Sequence, residues 1–143
     1  MTIAIVDTGF IVAILNTDDD YHQDALTIIN DRQWRLYLPV VTLVEVFYLR
    51  KIIKKPHIPR QRMLKVITEE LGFELEDMVL SDYRRVSELL EVYAPLKIDY
   101  VDAAIVAIAE RYHAQHIMTL DERDFRRYKP NFADYFILPV FDI

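Results

Sequence analysis

The stretch that decides the fold is Ile3-Ala-Ile-Val-Asp7-Thr-Gly9, close to the beginning of the sequence. Ile3 to Val6 is a short apolar run, and the turn signal Thr8-Gly9 follows it, a pattern that predicts a fully buried strand. A strand that is buried on both faces belongs in the middle of a parallel sheet whose faces are covered by helices. The pattern therefore predicts an α/β fold with this strand at its centre.

Asp7 follows this strand directly and is the only charged residue before Asp18. Ligands of open α/β sheets bind beyond the carboxyl ends of the strands. A lone carboxylate is costly to desolvate there unless something pairs with it. No Lys or Arg lies nearby in the sequence, so the partner comes from elsewhere in the fold or is a metal ion. The alternative is that Asp7 only caps the following helix, since Asp is a good N-cap residue.

Composition limits the class of protein. With 143 residues, 52% of them hydrophobic, the chain is expected to form one compact domain over residues 1–143. The absence of cysteine excludes disulfides and thiolate metal sites and fits a reducing cytoplasm. We also expect no signal peptide and no membrane span, because the apolar opening lacks a basic start and no apolar run reaches about 18 residues.

The charge of the chain is unevenly distributed. The net charge of −6 argues against a nucleic-acid partner. However, residues 50–65 contain seven Lys or Arg and no acid, and a second basic cluster runs from Arg123 to Lys129. Acids that gather around a metal lower the net charge while basic segments bind phosphate, so the negative net charge does not exclude a nucleic-acid partner.

Three further acids have surroundings similar to those of Asp7. Glu45 is the only charge between Val40 and Leu49, and Asp102 lies in an alanine-rich apolar run. Asp121 directly follows a predicted strand. Each of these acids has an alternative that needs no ligand. Glu45 could face water or pair with an Arg, and Asp121 could be an N-cap. Asp102 could stabilise its helix from the first turn through a favourable interaction with the helix dipole.

Hydrophobic periodicity and turn residues predict the remaining elements. Ser81 is the predicted N-cap of a helix over residues 81–93, and Pro39 is the predicted start of a helix that contains Glu45. The predicted helices span residues 9–15, 21–31, 59–71, 81–93 and 100–113. The predicted strands span residues 35–38, 73–75 or 79–80, 116–120 and 137–140.

The chemistry of the four acids points to a hard cation. All-oxygen ligation suits Mg²⁺ or Mn²⁺, and clustered carboxylates would repel one another strongly without a cation. Paired metals of this kind support in-line attack on a phosphodiester.

Taken in order, the motifs resemble those of a PIN-domain ribonuclease. These motifs are Val6-Asp7-Thr8, the Glu45 helix, Val101-Asp102-Ala103-Ala104, and Thr119-Leu120-Asp121 with Asp124-Phe125. The sequence is similar in particular to VapC toxins of type II toxin–antitoxin pairs, and the resemblance covers nearly the whole chain.

The resemblance implies a three-layer α/β/α fold with a central, mainly parallel sheet and a metal-dependent endoribonuclease activity. It makes Asp7, Glu45, Asp102 and Asp121 the acids that bind Mg²⁺ or Mn²⁺. Thr8 and Thr119 would orient ligands or water and Asp124 would support the site, while the role of Asp99 stays open. It also implies an RNA substrate, an antitoxin protein that blocks the site, and commonly a homodimer.

The basic segment suggests how an acidic protein would hold RNA. We expect Lys51, Lys54, Lys55 and Arg60 to position the RNA backbone, with a solvated surface or contact with an acidic partner as the alternative. Two other functions stay open at this point: a PIN-like RNA-processing nuclease without an antitoxin, and a non-catalytic RNA-binding α/β domain.

Overall fold

A computed structural model describes residues 1–31, 33–49 and 58–142 of the chain. Within these residues, one sheet has the strand order β3-β2-β1-β4, and every neighbouring pair is parallel. The strands are β1 (Thr2–Val6), β2 (Trp34–Pro39), β3 (Glu74–Glu76) and β4 (His116–Met118).

The first strand occupies the centre of the sheet, as the sequence predicts. It pairs with β2 on one side, where Ile5 lies opposite Tyr37, and with β4 on the other, where Val6 lies opposite Met118. Successive side chains of a strand point to opposite faces. Accordingly, Ala4 and Val6 enter one hydrophobic core and Ile5 enters the other, and all three are fully buried.

Helices cover both faces of the sheet and give the predicted three-layer α/β/α arrangement. The α-helices are α1 (Thr8–Leu15), α2 (His22–Asn30), α3 (Val40–Tyr48), α4 (Arg60–Lys65), α5 (Leu80–Val92), α6 (Tyr100–Tyr112), α7 (Glu122–Phe125) and α8 (Pro139–Asp142). Residues of α1, α2 and α4 lie in the first core, whereas residues of α5 and α6 lie in the second. A π-helical turn (Val66–Glu70) extends α4, and a 3₁₀ turn (Ala94–Leu96) precedes α6.

Two predicted features are wrong. The last strand, expected over residues 137–140, is reduced to a single bridge between Ile137 and His116. Pro139 begins α8 instead, since a proline lacks the N–H that a strand needs but suits the first turn of a helix. The predicted N-cap Ser81 lies inside α5, whose start is fixed by the Asp82 carboxylate, which accepts a hydrogen bond from the Val79 N–H at 3.0 Å.

Of the residues expected to hold RNA, Lys51, Lys54 and Lys55 lie outside the described residues. Arg60 is described, and it is the exposed first residue of α4. None of the described helices is long and apolar enough to cross a membrane.

A buried ion-pair network fastens α5 to α6. Asp82, on α5, is only 2% exposed, and the Arg111 guanidinium donates to its carboxylate at 3.0 Å. The same guanidinium also donates to the Glu76 carboxylate at 3.0 Å. Breaking a buried pair leaves a charge without a partner, which costs far more than breaking an exposed pair.

We expect the substitution Arg111→Met to lower the free energy of unfolding by about 3 kcal/mol, because it leaves the Asp82 carboxylate buried and unpaired. Arg35→Met is the matched control. Arg35 also lies over a tyrosine ring and pairs with Glu74, but both partners are about half exposed, so the expected loss is below about 1 kcal/mol. Urea unfolding of both variants measures the difference, and equal losses would show that the Arg111 network does not stabilise the helix pair.

Candidate acidic active site

An acidic cavity lies at the carboxyl ends of the central strands. Its volume is about 730 Å³, which is within the range of ligand pockets. It contains all four acids that the sequence singles out, which come from four separate segments of the chain. The residues that line it are Asp7, Thr8, Gly9, Tyr21, Glu45, Asp99, Asp102, Leu120, Asp121, Glu122, Arg123 and Phe141.

Asp7 is the most deeply placed of these acids, with 9% of its surface exposed. Its Oδ1 accepts a hydrogen bond from the Thr8 N–H at 2.7 Å, and its Oδ2 accepts one from the Thr119 hydroxyl at 2.7 Å. Its own N–H donates to the Met118 carbonyl at 2.9 Å, which continues the parallel pairing of β1 with β4 by one residue. Asp7 therefore caps the start of α1 and also lines the cavity.

The pKa of Asp7 is raised to about 6 despite these hydrogen bonds. Desolvation by burial is the largest cause, and the negative charges of Glu45 and Asp121 add to it. The hydrogen bonds from Thr119 and Thr8 act in the opposite direction, because they stabilise the charged form.

Asp102 lies in the first turn of α6, half-buried, and the Tyr128 hydroxyl donates to its Oδ2 at 3.0 Å. Burial and then the charge of Asp7 raise the pKa of Asp102 to about 7. Burial and the charge of Asp102 in turn raise the pKa of Tyr128, so its hydroxyl stays a donor. The hydrogen-bond partner of this acid is thus neutral, and among the described residues no Lys or Arg pairs with it.

Glu45 reaches the cavity from α3, where it is half-buried. The Thr8 hydroxyl donates a short hydrogen bond to its Oε1. This contact joins the start of α1 to α3, so the acid from the third helix is held beside Asp7. Neither ordinary alternative describes it fully, since it faces the cavity and no ion pair to it is found among the described residues.

Asp121 and Asp99 are exposed and cap helices at the rim of the cavity. Asp121 accepts a hydrogen bond from the Asp124 N–H at 3.0 Å at the start of α7, and Asp99 accepts one from the Val101 N–H at 3.2 Å at the start of α6. Lost solvation and the hydrogen bond with Asp124 raise the pKa of Asp121. The Thr119 hydroxyl accepts a hydrogen bond from the Asp121 N–H at 2.9 Å, so one threonine orders two of the acids.

Asp124 does not line the cavity, and its carboxylate forms a short ion pair with Arg127. Its charge nevertheless contributes to the raised pKa values of Asp102 and Asp121. Asp124 is therefore a neighbour of the cavity, and it acts on the cavity acids through its charge and through its hydrogen bond with Asp121.

The donor chemistry of the cavity fits a hard divalent cation. Every ionisable acid in it offers oxygen ligands, and Arg123 is the only Lys or Arg among the described residues that line it. Within the described ranges, no three Asp, Glu or His side chains already form a group that could hold a metal ion. The carboxylates are oriented instead by Thr8, Thr119 and Tyr128, so they would have to rotate toward a bound cation.

Sequence reasoning missed three side chains of this site. Tyr128 contacts Asp102 from 26 residues away, and Tyr21 and Phe141 face the cavity from opposite ends of the sequence. No local motif links any of them to an acid. Arg123 could be assigned to a basic cluster from the sequence, but its position inside the acidic cavity depends on the way α7 follows β4.

A parallel α/β sheet with an acidic cavity at its carboxyl edge defines the class of this protein. The family model for the PIN domain matches residues 4–130, which is most of the sequence. The chain therefore belongs to the PIN domain family.

Known proteins are similar to this chain in sequence or in structure. The chain is 25% identical over 128 residues to Ribonuclease VapC26 of Mycobacterium tuberculosis, covering 88% of this chain and 92% of that protein. Its structure is similar to that of VapC20 from the same species, a sarcin–ricin loop cleaving toxin, with a TM-score of 0.72 and 19% identity over 85% of this chain and 92% of that chain. It is also similar to VapBC2 from Rickettsia felis bound to a promoter DNA fragment, with a TM-score of 0.68 and 18% identity over 96% and 97% of the two chains.

We expect the Asp102→Asn variant to be more stable than the wild type at pH 8 when no metal is bound. The pKa of Asp102 is raised on folding, so the folded state binds more protons than the unfolded state between about pH 4 and 7, and stability falls as the pH rises through that window. Asn removes this cost. The gain at pH 8 is about 1–2 kcal/mol, allowing for the solvent that reaches a half-buried group.

Urea unfolding in the presence of a chelator, at pH 4 and pH 8, measures this gain. The difference between variant and wild type should be much smaller at pH 4, where Asp102 is protonated in the folded state. Asp134→Asn, which changes an exposed acid outside the cavity, is the control and should show no such dependence. If Asp102→Asn and the wild type had the same free energy of unfolding at both pH values, the raised pKa of Asp102 would be contradicted.

Proposed function

We propose that this protein is a metal-dependent endoribonuclease that hydrolyses RNA phosphodiester bonds and acts as the toxin of a toxin–antitoxin pair. The observation that carries the proposal is that Asp7, Glu45, Asp102 and Asp121 line one cavity in a chain of the PIN domain family. The ribonuclease activity named for the similar VapC26 protein supports the reaction, and residues 1–143 would act as a single PIN domain.

The proposed metal ligands are Asp7, Glu45, Asp102 and Asp121, and the proposed cation is Mg²⁺ or Mn²⁺. Support comes from the oxygen-only donor set and from the crowding of acids in the cavity, where burial first and then neighbouring carboxylates raise the pKa values of Asp7 and Asp102. When bound, a divalent cation supplies Lewis-acid stabilisation of the charge that develops on the phosphoryl oxygens.

The protein's own residues would hold and orient the reacting groups. Thr119 holds the Asp7 carboxylate in one orientation, Thr8 does the same for Glu45, and Tyr128 for Asp102. Carboxylate oxygens that remain free would accept hydrogen bonds from the attacking water and so orient its oxygen toward the phosphorus atom. In this assignment Asp99 supports the site through its charge and by capping the start of α6, and Asp124 supports it through its charge and its hydrogen bond with Asp121.

We propose an antitoxin protein as the partner and a homodimer as the assembly. Two of the similar solved structures support a protein partner, since one is VapBC2 and another is a toxin–antitoxin complex from Klebsiella pneumoniae, with a TM-score of 0.67 and 19% identity over 94% and 99% of the two chains. Exposed apolar side chains on α3 and α5 supply surface for such contacts, among them Val44, Tyr48, Leu80 and Tyr83.

We expect Asp7→Asn and Asp102→Asn each to lower RNA cleavage more than about 100-fold. Each variant removes a carboxylate from the proposed cation site, and the charge stabilisation at stake is several kcal/mol. Cleavage of single-stranded RNA by purified protein, with Mg²⁺ or Mn²⁺ at saturation, measures the loss. Asp134→Asn is the matched control, and full activity of either cavity variant would remove that residue from the mechanism.

We also expect Mg²⁺ or Mn²⁺ to raise the melting temperature of the wild-type protein in a concentration-dependent way. A cation that binds only the folded state stabilises it by mass action and relieves the repulsion between the carboxylates. The shift should be much smaller for Asp7→Asn and unchanged for Asp134→Asn. Differential scanning fluorimetry needs no substrate, so it tests cation binding separately from cleavage, and equal shifts for all three proteins would place the cation elsewhere.

A further inference from the structure

One wall of the acidic cavity is aromatic. Tyr21 and Phe141 both line the cavity, and their ring centroids are 6.5 Å apart at an interplanar angle of 70°. Tyr21 is 38% exposed, whereas Phe141 is half-buried and packs against the second hydrophobic core. The pair thus presents apolar ring surface to the same space that the acids occupy.

Hydrogen bonds anchor the backbone that carries Tyr21. The Tyr21 N–H donates to the Asp19 carboxylate at 2.9 Å, and the next residue, His22, contacts the Ala13 carbonyl of α1 through Nδ1 at 2.7 Å. Since a carbonyl only accepts, that nitrogen carries the proton. These bonds use the backbone and the neighbouring side chain, and they leave the tyrosine ring exposed to the cavity.

Phe141 is held by the short helix α8. The Leu138 N–H donates to the Asp142 carboxylate at 2.7 Å, and the Phe141 N–H donates to the Leu138 carbonyl at 2.9 Å. Arg126, which directly follows α7, donates to the same Asp142 carboxylate at 3.0 Å. The aromatic wall is therefore fastened to the C-terminal end of α7, the helix that Asp121 caps at its start.

Arg123 is the basic residue of the cavity. The nearby Arg126 and Arg127 are occupied by carboxylates, whereas Arg123 is exposed and has no ion-pair partner among the described residues. It lies on the same helix turn as Glu122 and directly follows the acidic rim. A free guanidinium at this position is suited to bind a phosphate that approaches the acids.

We propose that Tyr21 and Phe141 form a stacking subsite for an unpaired nucleobase of single-stranded RNA, with Arg123 binding a phosphate of the same strand. The inference rests on the proposed function and adds to it the substrate class and the contacts that hold it. Aromatic side chains bind bases of any sequence because every base has a π-face, and single-stranded regions are the ones whose bases are free to stack.

The arrangement also gives the cavity a source of affinity that the acids do not provide. Carboxylates repel phosphate, so an acidic site needs attraction from neighbouring groups to hold RNA. Stacking is uncharged and is not weakened by the acids, and one guanidinium supplies a local phosphate contact. Together the three side chains would place one nucleotide beside the acids without selecting its base.

A double-mutant cycle between protein and RNA tests the stacking subsite. The protein variants are Tyr21→Leu and Phe141→Leu, which keep apolar volume but remove the ring, and Tyr135→Leu is the control because Tyr135 is 60% exposed and does not line the cavity. The substrate is a short single-stranded RNA with one abasic nucleotide at each position around the cleavage site in turn.

We expect Tyr21→Leu to raise KM for intact RNA about 10-fold with little change in kcat, since stacking of one base contributes an effect of this size. One abasic position should cause a similar loss with the wild type and no additional loss with Tyr21→Leu. Tyr135→Leu should behave as the wild type. The proposal would be overturned if the effect of the abasic nucleotide and the effect of Tyr21→Leu multiplied at every position. It would also be overturned if Tyr21→Leu and Phe141→Leu cleaved RNA normally.

The phosphate contact has its own test. The slope of log binding constant against log salt concentration is negative, and Arg123→Gln should make it less negative by about 0.7, the value for one contact to single-stranded nucleic acid. Arg84→Gln, an exposed arginine of α5 outside the cavity, should leave the slope unchanged. An unchanged slope for Arg123→Gln would remove this residue from the proposal.

Failure of the proposed function is distinguishable from failure of this inference. The same RNAs are titrated into the Asp7→Asn variant, alone and combined with Tyr21→Leu, and binding is followed by fluorescence anisotropy. If the wild type cleaves no RNA, the proposed activity is wrong, but the binding cycle still decides whether the rings stack a base. If the wild type cleaves RNA but the binding free-energy changes of the abasic nucleotide and of Tyr21→Leu are additive, the nuclease activity is supported and the stacking subsite is rejected.

Discussion

The burial of the Asp7 carboxylate at the end of the central strand is the constraint on which the site depends. An unpaired carboxylate is costly to bury, and the protein offsets this cost with hydrogen bonds from Thr8 and Thr119, while no Lys or Arg of the described residues pairs with it. These two donors come from the start of α1 and the end of β4. The position of the acid therefore determines how the elements on both sides of β1 meet.

Two acids on the same helix show that this arrangement is selective. Glu110, near the end of α6, is 5% exposed and pairs with the Arg85 guanidinium at 2.7 Å. Asp102, near the beginning of α6, has the neutral Tyr128 hydroxyl as its only side-chain partner among the described residues. Within this part of the chain, an arginine therefore pairs with the buried acid at one end of the helix and none pairs with the acid at the other end. An acid without a base destabilises the folded state, which is expected where a ligand supplies the missing charge.

The sequence predicts the parts of the structure that depend on local pattern. An apolar run followed by Thr8-Gly9 was enough to place β1, and isolated charges such as Glu45 and Asp102 in apolar surroundings marked the side chains that face the cavity. The contact between Tyr128 and Asp102 has no local signal, because it forms only after α6 and the segment after α7 pack together. The last strand was mispredicted because periodicity over four residues does not distinguish a strand from a helical turn that starts at Pro139.

The aromatic wall follows from the same topology. Tyr21 and Phe141 are far apart in the sequence, and α2 and α8 bring them together beside the carboxyl end of the sheet, where loops of an open α/β fold meet. Acids gathered at this edge attract a cation and repel a polyanion, so the same cavity needs groups that hold RNA by other means. Ring faces and Arg123, the one arginine that lines the cavity in the described part of the chain, satisfy that requirement with little cancellation of the negative charge that the cation requires.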